Sequence, residues 1–379
     1  MEPHRRHRFP SGPRLAASLV LALAVGLTAL VAIPSGRPVS RSSKGSEAQA
    51  SQRRSPTLTI GWAGDITPGS SHGTLPGDAR SLFADVRRLV REPDLMIGNL
   101  EGTLSVGGPG KCPSGSANGT CFAFQAPPAA ARGLRSAGFD VVNLANNHSF
   151  DYGAEGLGQT VTALERSGVA WTGLPGRAAV VGRRGLVIAV LGFAPYRWAN
   201  PLLDHAGAAR QVRSAAQAVD LVIVTAHIGA EGAAAARTPA GGEAHLGEPR
   251  GDSRAFARAV IDAGADLVLA SGTHVLRGLE LYRGRLIAHG LGNFAGVNNF
   301  STAGDLALSG LLSTRLERHG AMRNAWLHGL RLDASGHPSP DRERSAVRFV
   351  ATRSREDFPR SPLRVQRTGR VLARRTPPR

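Results

Sequence analysis

A chain of 379 residues, 42% hydrophobic and 20% charged, fits a globular protein of one large domain or two smaller ones. Its formal net charge of +18 sits at the ends: residues 1–54 carry +7, residues 315–379 carry +10, and about +1 is left between them. Basic, poorly apolar ends read as solvated tails, and the middle holds neither a basic helix nor a set of stacking aromatics, which argues against a nucleic-acid partner.

Arg5, Arg6, Arg8 and Arg14 precede residues 15–34, whose only polar side chains are Ser18 and Thr28. A basic flank before about 20 apolar residues predicts a membrane-inserting segment with its positive end inside. The run is long for a signal-peptide core, and Val31-Ala32-Ile33-Pro34 is a poor small-x-small cleavage site. Residues 1–34 are therefore expected to stay as a single-pass anchor in the cell membrane, with the main domain extracytoplasmic; secretion after cleavage is the alternative. Residues 35–56, rich in Ser, Gln, Arg and Gly, read as a flexible tether. The folded domain is expected over 57–335, and 336–379 as an Arg- and Pro-rich, partly disordered extension in which only 346–352 resembles a strand.

Within the domain, short runs rich in Val, Ile and Leu alternate with helical stretches predicted at 81–91, 129–137, 157–167, 208–218 and 254–263. Gly138, Gly168 and Gly264 stand where helices must turn into the next strand, as glycine at C′ does. This alternation predicts an α/β fold with much parallel sheet. Residues 178–194 and 279–288 read instead as hairpins, around Arg183-Arg184-Gly185 and Arg283-Gly284, and point to mixed or paired sheets. Cys112 and Cys121, the only cysteines, flank a turn-rich loop and are expected to form a disulfide outside the cytoplasm.

Five of the apolar runs end on residues able to hold a metal ion. The run from Leu58 ends at Asp65, that from Leu95 at Glu101, that from Val141 at Asn146-Asn147-His148, that from Leu221 at His227, and that from Leu267 at His274. Ligands gather at the carboxyl ends of strands in open α/β sheets, so these five ends predict one pocket. Two carboxylates, an amide oxygen and two imidazoles suit Mn, Fe, Zn or Co better than Ca. One or two such cations would activate water there. His148, at the rim, would donate a proton to a leaving oxygen or stabilise charge on a phosphate, with Asp151 orienting its ring. His72, His205 and His245 lie in loops without motif support and read as solvated.

The blocks Gly64-Asp65-Ile-Thr-Pro-Gly69, Gly98-Asn99-Leu-Glu101, Asn143-Leu-Ala-Asn-Asn-His148-Ser-Phe-Asp151-Tyr-Gly153, His227-Ile-Gly-Ala-Glu231, Gly272-Thr-His274 and Leu291-Gly-Asn293-Phe294 occur in that order. Together they resemble the CapA family of capsule and poly-γ-glutamate biosynthesis proteins, a branch of the calcineurin-like metallophosphatase superfamily, over about residues 57–300. The resemblance implies a four-layer α/β sandwich of metallophosphatase type, with mixed β-sheets flanked by helices. It implies Asp65, Glu101, Asn147, His227 and His274 as metal ligands and His148 as the acid, with Asn99, Glu231 and Asn293 in support. Ser271 stands where relatives carry an additional histidine, Thr67 where phosphatases of the superfamily carry one, and His289 where relatives have Tyr. His289 is the one candidate to replace the missing imidazole.

The expected function is a membrane-anchored part of cell-surface polymer production with a metal-dependent phosphoesterase-like site. Its expected partners are the membrane, an anionic polymer such as polyglutamate, and polymer synthase or export proteins. The alternative is a non-catalytic polyanion-binding or export accessory protein on the same fold. A secreted nucleotidase-like phosphoesterase is a third reading, weakened because no separate substrate domain is evident.

Overall fold

Along the central strands every side chain is buried, and successive ones point to opposite faces with period two, which sets the layers. In Leu221–His227, Leu221 and Ile223 join one core cluster, while Val222, Val224 and Ala226 join another on the opposite face. Ile188 and Val190 divide in the same way from Ala189 and Leu191, as do Leu267 and Leu269 from Val268 and Ala270. Strands covered on both faces need apolar side chains throughout, which is why the sequence shows continuous runs and no polar face. The computed structural model describes residues 57–70, 73–74, 78–112 and 121–373. The expected anchor and the tether lie outside the described residues, and among those described no helix is long and apolar enough to cross a membrane.

The first sheet has ten strands, with its main path running Leu363–Val365, Arg370–Ala373, Met322–Leu332, Leu308–Leu316, Leu58–Thr67, Leu95–Leu100, Val141–Asn143 and Ala170–Thr172. The last four of these are mutually parallel. Asn293–Gly296 runs parallel to the end of Leu58–Thr67 and places Asn293 beside Asp65. The second sheet, of six strands, runs Leu279–Tyr282, Arg285–Ala288, Leu267–Ser271, Leu221–His227, Leu186–Phe193 and Ala178–Arg183. Its edges are the two hairpins read from the sequence, both antiparallel, and its centre is parallel.

One apolar cluster lies between the sheets, with Trp62, Ile97, Ile188 and Ile223 contributed from both sides. A second joins the outer face of the first sheet to helices Ala130–Ala137 and Gly153–Ser167 through Leu134, Phe139 and Leu164. A third joins the second sheet to helices His205–Ala216 and Ser253–Asp262 through Val212, Phe256 and Val260. The architecture is thus helix, sheet, sheet, helix: a four-layer α/β sandwich. Asp204 and Asp252 start the latter two helices by accepting from the N–H groups of Gly207 and Ala255. Gly138 and Gly168 end theirs with φ of 122° and 69°. Residues 80–86 wind as a 3-10 turn ahead of helix Arg87–Arg91, with no capping side chain at Ala79.

The C-terminal segment differs most from expectation. Residues 346–352 belong to helix Ser345–Asp357, because Ala346, Val347 and Val350 recur at helical spacing and fill the space between the sheets. Ser354 Oγ accepts the Leu279 N–H at 2.8 Å, and Val371 is fully buried in the same cluster. Through residue 373 this segment completes the core of the domain and is no extension.

Candidate metal centre

The strand ends of both sheets converge on one buried cluster. One ligand atom each from Asp65, Glu101 and His227 lies within 4.8 Å of the other two, and all three residues are buried. Asp65 lies two residues before the end of strand Leu58–Thr67, where the chain passes against a turn: its N–H donates to the Gly292 carbonyl at 3.0 Å, and a Cβ on Gly64 would collide with that carbonyl. His227 ends its strand opposite Ser271. At Gly272, φ is 98° and a Cβ would sit 2.8 Å from the His227 ring, so glycine is required there. His274 follows with φ of 57°, a left-handed conformation unusual outside glycine and asparagine. Its Nδ1 lies 3.2 Å from Asp65 Oδ2 and 2.8 Å from Asn293 Oδ1, and its Nε2 lies 3.8 Å from Glu101 and 3.6 Å from Glu231.

An amide relay holds these groups from behind. Asn99 Nδ2 donates to Asp65 Oδ1 at 2.8 Å and faces His227 Nδ1 at 3.3 Å. Asn143 and Asn146 donate to the Asn99 side-chain oxygen at 2.9 and 3.3 Å. Asn146 also donates to the Leu100 carbonyl and accepts the His148 N–H. The three amides of this relay are thus paired, yet both Glu101 carboxylate oxygens, His227 Nε2, Asn147 Oδ1 and Ser271 Oγ are buried without a hydrogen-bond partner. Native interiors rarely leave such atoms unpaired, and orphaned oxygen and imidazole donors on adjacent strand ends are what a bound cation satisfies. A cation with bonds of about 2.0–2.2 Å holds its ligand atoms within about 4.4 Å of one another, close to the 4.8 Å that spans this group.

Electrostatics favours the same occupant. Burial, then the neighbouring Asp65, pushes the Glu101 carboxyl well above its ordinary 4.5. Burial works against ionisation of Asp65 as well, but the hydrogen bond and charge of His274 bring it below 3.8. Burial presses His227 down to about 3 although Asp65 opposes it. For His274, burial is overcome by Glu101, Asp65 and Glu231, and the imidazole is raised to about 10. A proton on His274 therefore supplies the positive charge that this carboxylate pocket requires, where a divalent cation would supply more.

At the rim, His148 Nδ1 meets Asp151 Oδ2 at 2.8 Å. Asp151 also receives the Lys111 ammonium and the Phe124 N–H, so it acts as acceptor and the hydrogen sits on Nδ1, leaving Nε2 for chemistry. Burial lowers the His148 pKa below 6.5 against the pull of Asp151. A cavity of about 260 Å³ opens here, lined by His148, Glu231, His245, His274 and Asn293, with Phe122, Phe124 and Phe300 as apolar walls. Glu231 is bound by Arg250 at 2.6 Å and lies 3.4 Å from His245.

His289 stands apart from this cluster. Its Nδ1 bonds Ser253 Oγ at 2.8 Å, its Nε2 faces Glu280 at 3.2 Å, and its ring stacks on Phe358. With both nitrogens engaged it has none to offer in place of the missing imidazole, contrary to the expectation from its motif. His245, read as solvated, instead shares the cavity, and Lys111 and Arg250 carry no motif signal in the sequence. His72 lies outside the described residues. Cys112 and Cys121 are joined as a disulfide.

A two-sheet α/β sandwich with carboxylates, amides and imidazoles converging from its strand ends defines the class: a protein built around a candidate metal centre. The family model described as Bacterial capsule synthesis protein PGA_cap matches residues 59–298, and the chain belongs to that family. It is 26% identical over 290 residues to the capsule biosynthesis protein CapA of Bacillus anthracis, covering 69% of this chain and 65% of that one. It is also 26% identical over 291 residues to the PGA biosynthesis protein CapA of Bacillus subtilis (strain 168), covering 70% of each. The chain thus spans about two thirds of the length of these relatives. Among solved structures, a 5'-nucleotidase precursor from Thermus thermophilus aligns with a TM-score of 0.42 at 14% identity, covering 78% of this chain and 58% of that one.

Proposed function

We propose that this protein is a membrane-anchored, extracytoplasmic member of its family that serves production of a capsule or polyglutamate-type surface polymer. We further propose that its pocket hydrolyses a phosphoester or a related bond. The observation that carries the hydrolytic reading is the set of orphaned donors: Glu101 and His227 present buried, unpartnered ligand atoms beside Asp65 and His274, and Asn147 Oδ1, one residue from the amide relay, is buried and unpartnered as well. These residues would hold one or two divalent transition-metal ions, which supply Lewis acidity and activate water when bound. His148 would protonate the leaving oxygen from Nε2 while Asp151 fixes its ring and the apolar walls limit water. Arg250 pins Glu231 at the mouth, where the carboxylate faces His274 and His245. The disulfide and the basic flank before residues 15–34 support an extracytoplasmic place. Metal content and hydrolysis of an aryl phosphate with and without Mn²⁺ test the reading. It fails if the metal-loaded full chain shows no activity that Asp65→Ala or His148→Ala removes.

A second reading, binding of an anionic polymer, is favoured by a groove of about 660 Å³ beside helix Ser345–Asp357. Arg355, Arg364 and Arg367 line it without a carboxylate partner among the described residues. Guanidinium groups suit carboxylates through bidentate hydrogen bonds. Truncating this segment would strip Val347, Val350 and Val371 from the core, so the test is the triple Arg→Gln variant. Salt-sensitive binding of polyglutamate that this variant loses supports the reading; equal binding by variant and parent overturns it.

A further inference from the structure

The Cys112–Cys121 disulfide joins two segments that both rest on Asp151. On one side, the Lys111 ammonium lies 2.7 Å from Asp151 Oδ1, and the Lys111 N–H donates to the Asp151 carbonyl at 2.7 Å. On the other, the Phe124 N–H donates to Asp151 Oδ2 at 2.7 Å. The Phe124 ring also lies against the His148 imidazole, with 4.1 Å between centroids. Asp151 is fully buried, and its Oδ2 takes the His148 Nδ1 hydrogen. The carboxylate that orients His148 is thus itself oriented by residues one position before and three positions after the disulfide.

We propose that Lys111 and the Phe124 amide are positioning groups for the proton donor His148, and that the disulfide is the brace that keeps both on Asp151. This rests on the reading of His148 as the donor. An imidazole held by one hydrogen bond can turn with its partner. Here the Asp151 carboxylate is held at both oxygens, one ion-paired with the Lys111 ammonium and the other accepting the Phe124 amide, while the Phe124 ring lies against the imidazole. Without the disulfide the Phe124 side is still held through its carbonyl by Thr103, whereas the Lys111 side keeps only its contacts to Asp151, His148 and the Asn147 carbonyl; loss of the Lys111 contact frees the carboxylate and then the ring. The effect falls on turnover far more than on metal binding, because Asp65, Glu101 and His227 stand on or just beyond other strands and only Asn147 of the proposed ligands adjoins His148.

The test compares the oxidised full chain, the same chain treated with a phosphine reductant, Cys112→Ser/Cys121→Ser, Lys111→Met and Lys111→Arg. Reducing the parent chain after it has folded covers the case of a variant that fails to fold. Reduction and Lys111→Met are expected to lower kcat on an aryl phosphate with Mn²⁺ by about 10- to 100-fold, as loss of an orienting partner does. KM should stay unchanged and Mn²⁺ affinity should fall far less than kcat, and Lys111→Arg should recover most of the loss. Hydrogen exchange at the Phe124 amide should accelerate in the reduced chain and in Lys111→Met. Unchanged kcat and unchanged Phe124 exchange on reduction overturn the proposal. A chain with no metal-dependent hydrolysis in any form removes the phosphoesterase reading instead, and Phe124 exchange then decides by itself whether the brace exists.

Discussion

The molecule buries two histidine neighbourhoods, and they are opposites. Around His289, Ser253 Oγ and Glu280 engage both ring nitrogens, Arg258 binds Glu280 at 2.6 Å, and Phe358 covers the ring. Around His227, the Nε2 atom and both Glu101 oxygens have no hydrogen-bond partner, although these residues are no less buried. Burying a polar group is tolerable when it is paired and costly when it is not. The first neighbourhood is therefore a finished piece of core, and the second is one left to be completed by something else. A buried histidine alone does not mark a site; its unsatisfied partners do.

The sharpest way to break this contrast is to remove a ligand. Glu101→Gln should abolish tight metal binding and metal-dependent hydrolysis, seen in metal content and activity. The metal-free variant should melt higher than the parent, because a buried carboxyl beside Asp65 is gone. A variant that still holds stoichiometric Mn²⁺ would show that the cluster is not a metal centre.

Completing the centre should stabilise the protein. Mn²⁺ at about 100 times its Kd should add about 2.7 kcal/mol to unfolding stability, measured by denaturant titration and reversed by a chelator. Substitutions around His289 should leave that increment intact. His289→Leu is expected to cost about 1–3 kcal/mol of stability by stranding Glu280 and Ser253, with metal affinity unchanged. An equal loss of metal affinity would mean that the two neighbourhoods are coupled.

The smallest effect is that of pH. Glu101, Asp65 and Glu231 raise His274 to about 10, so between pH 6.5 and 10 the metal-free fold keeps a proton that the unfolded chain releases. Its contribution to stability is fully present below pH 6.5 and is lost as pH rises through 10. A cation takes the place of that proton, so Mn²⁺ affinity should rise about tenfold per pH unit in this window. Calorimetric titrations at pH 7 and 8, in buffers of different ionisation heat, measure both the affinity and the proton released. An affinity that is flat in pH would mean that His274 stays protonated beside the metal.

Much of the fold is legible in the chain because its signals are local. Continuous runs rich in Val, Ile and Leu from Leu58, Leu186, Leu221 and Leu267 mark buried strands, and glycine at 138 and 168 marks helix ends within a few residues of the event. The segment from Ser345 is harder to read, because Ala-Val-Arg-Phe-Val looks like a strand until a partner is known. Its buried Ala346, Val347 and Val350 declare a helix only once the gap between the sheets exists to receive them. The site divides in the same way. Asp65, Glu101, Asn147, His148, His227 and His274 stand out at strand ends, and the structure brings their strand ends together. His289 sits in as suggestive a motif, yet its strand carries it to Ser253 and Glu280.

By itself, then, the sequence determined roughly where the central strands and most helices lie and which chemically able residues stand near the strand ends. Those features depend on neighbours a few positions away. Only the tertiary structure decided which of those residues would be left without partners, that Lys111 would reach Asp151 across 40 positions, and that His289 would be fully satisfied elsewhere. Hydrogen-bond satisfaction and burial are set by contacts between distant segments, and no local pattern carries them.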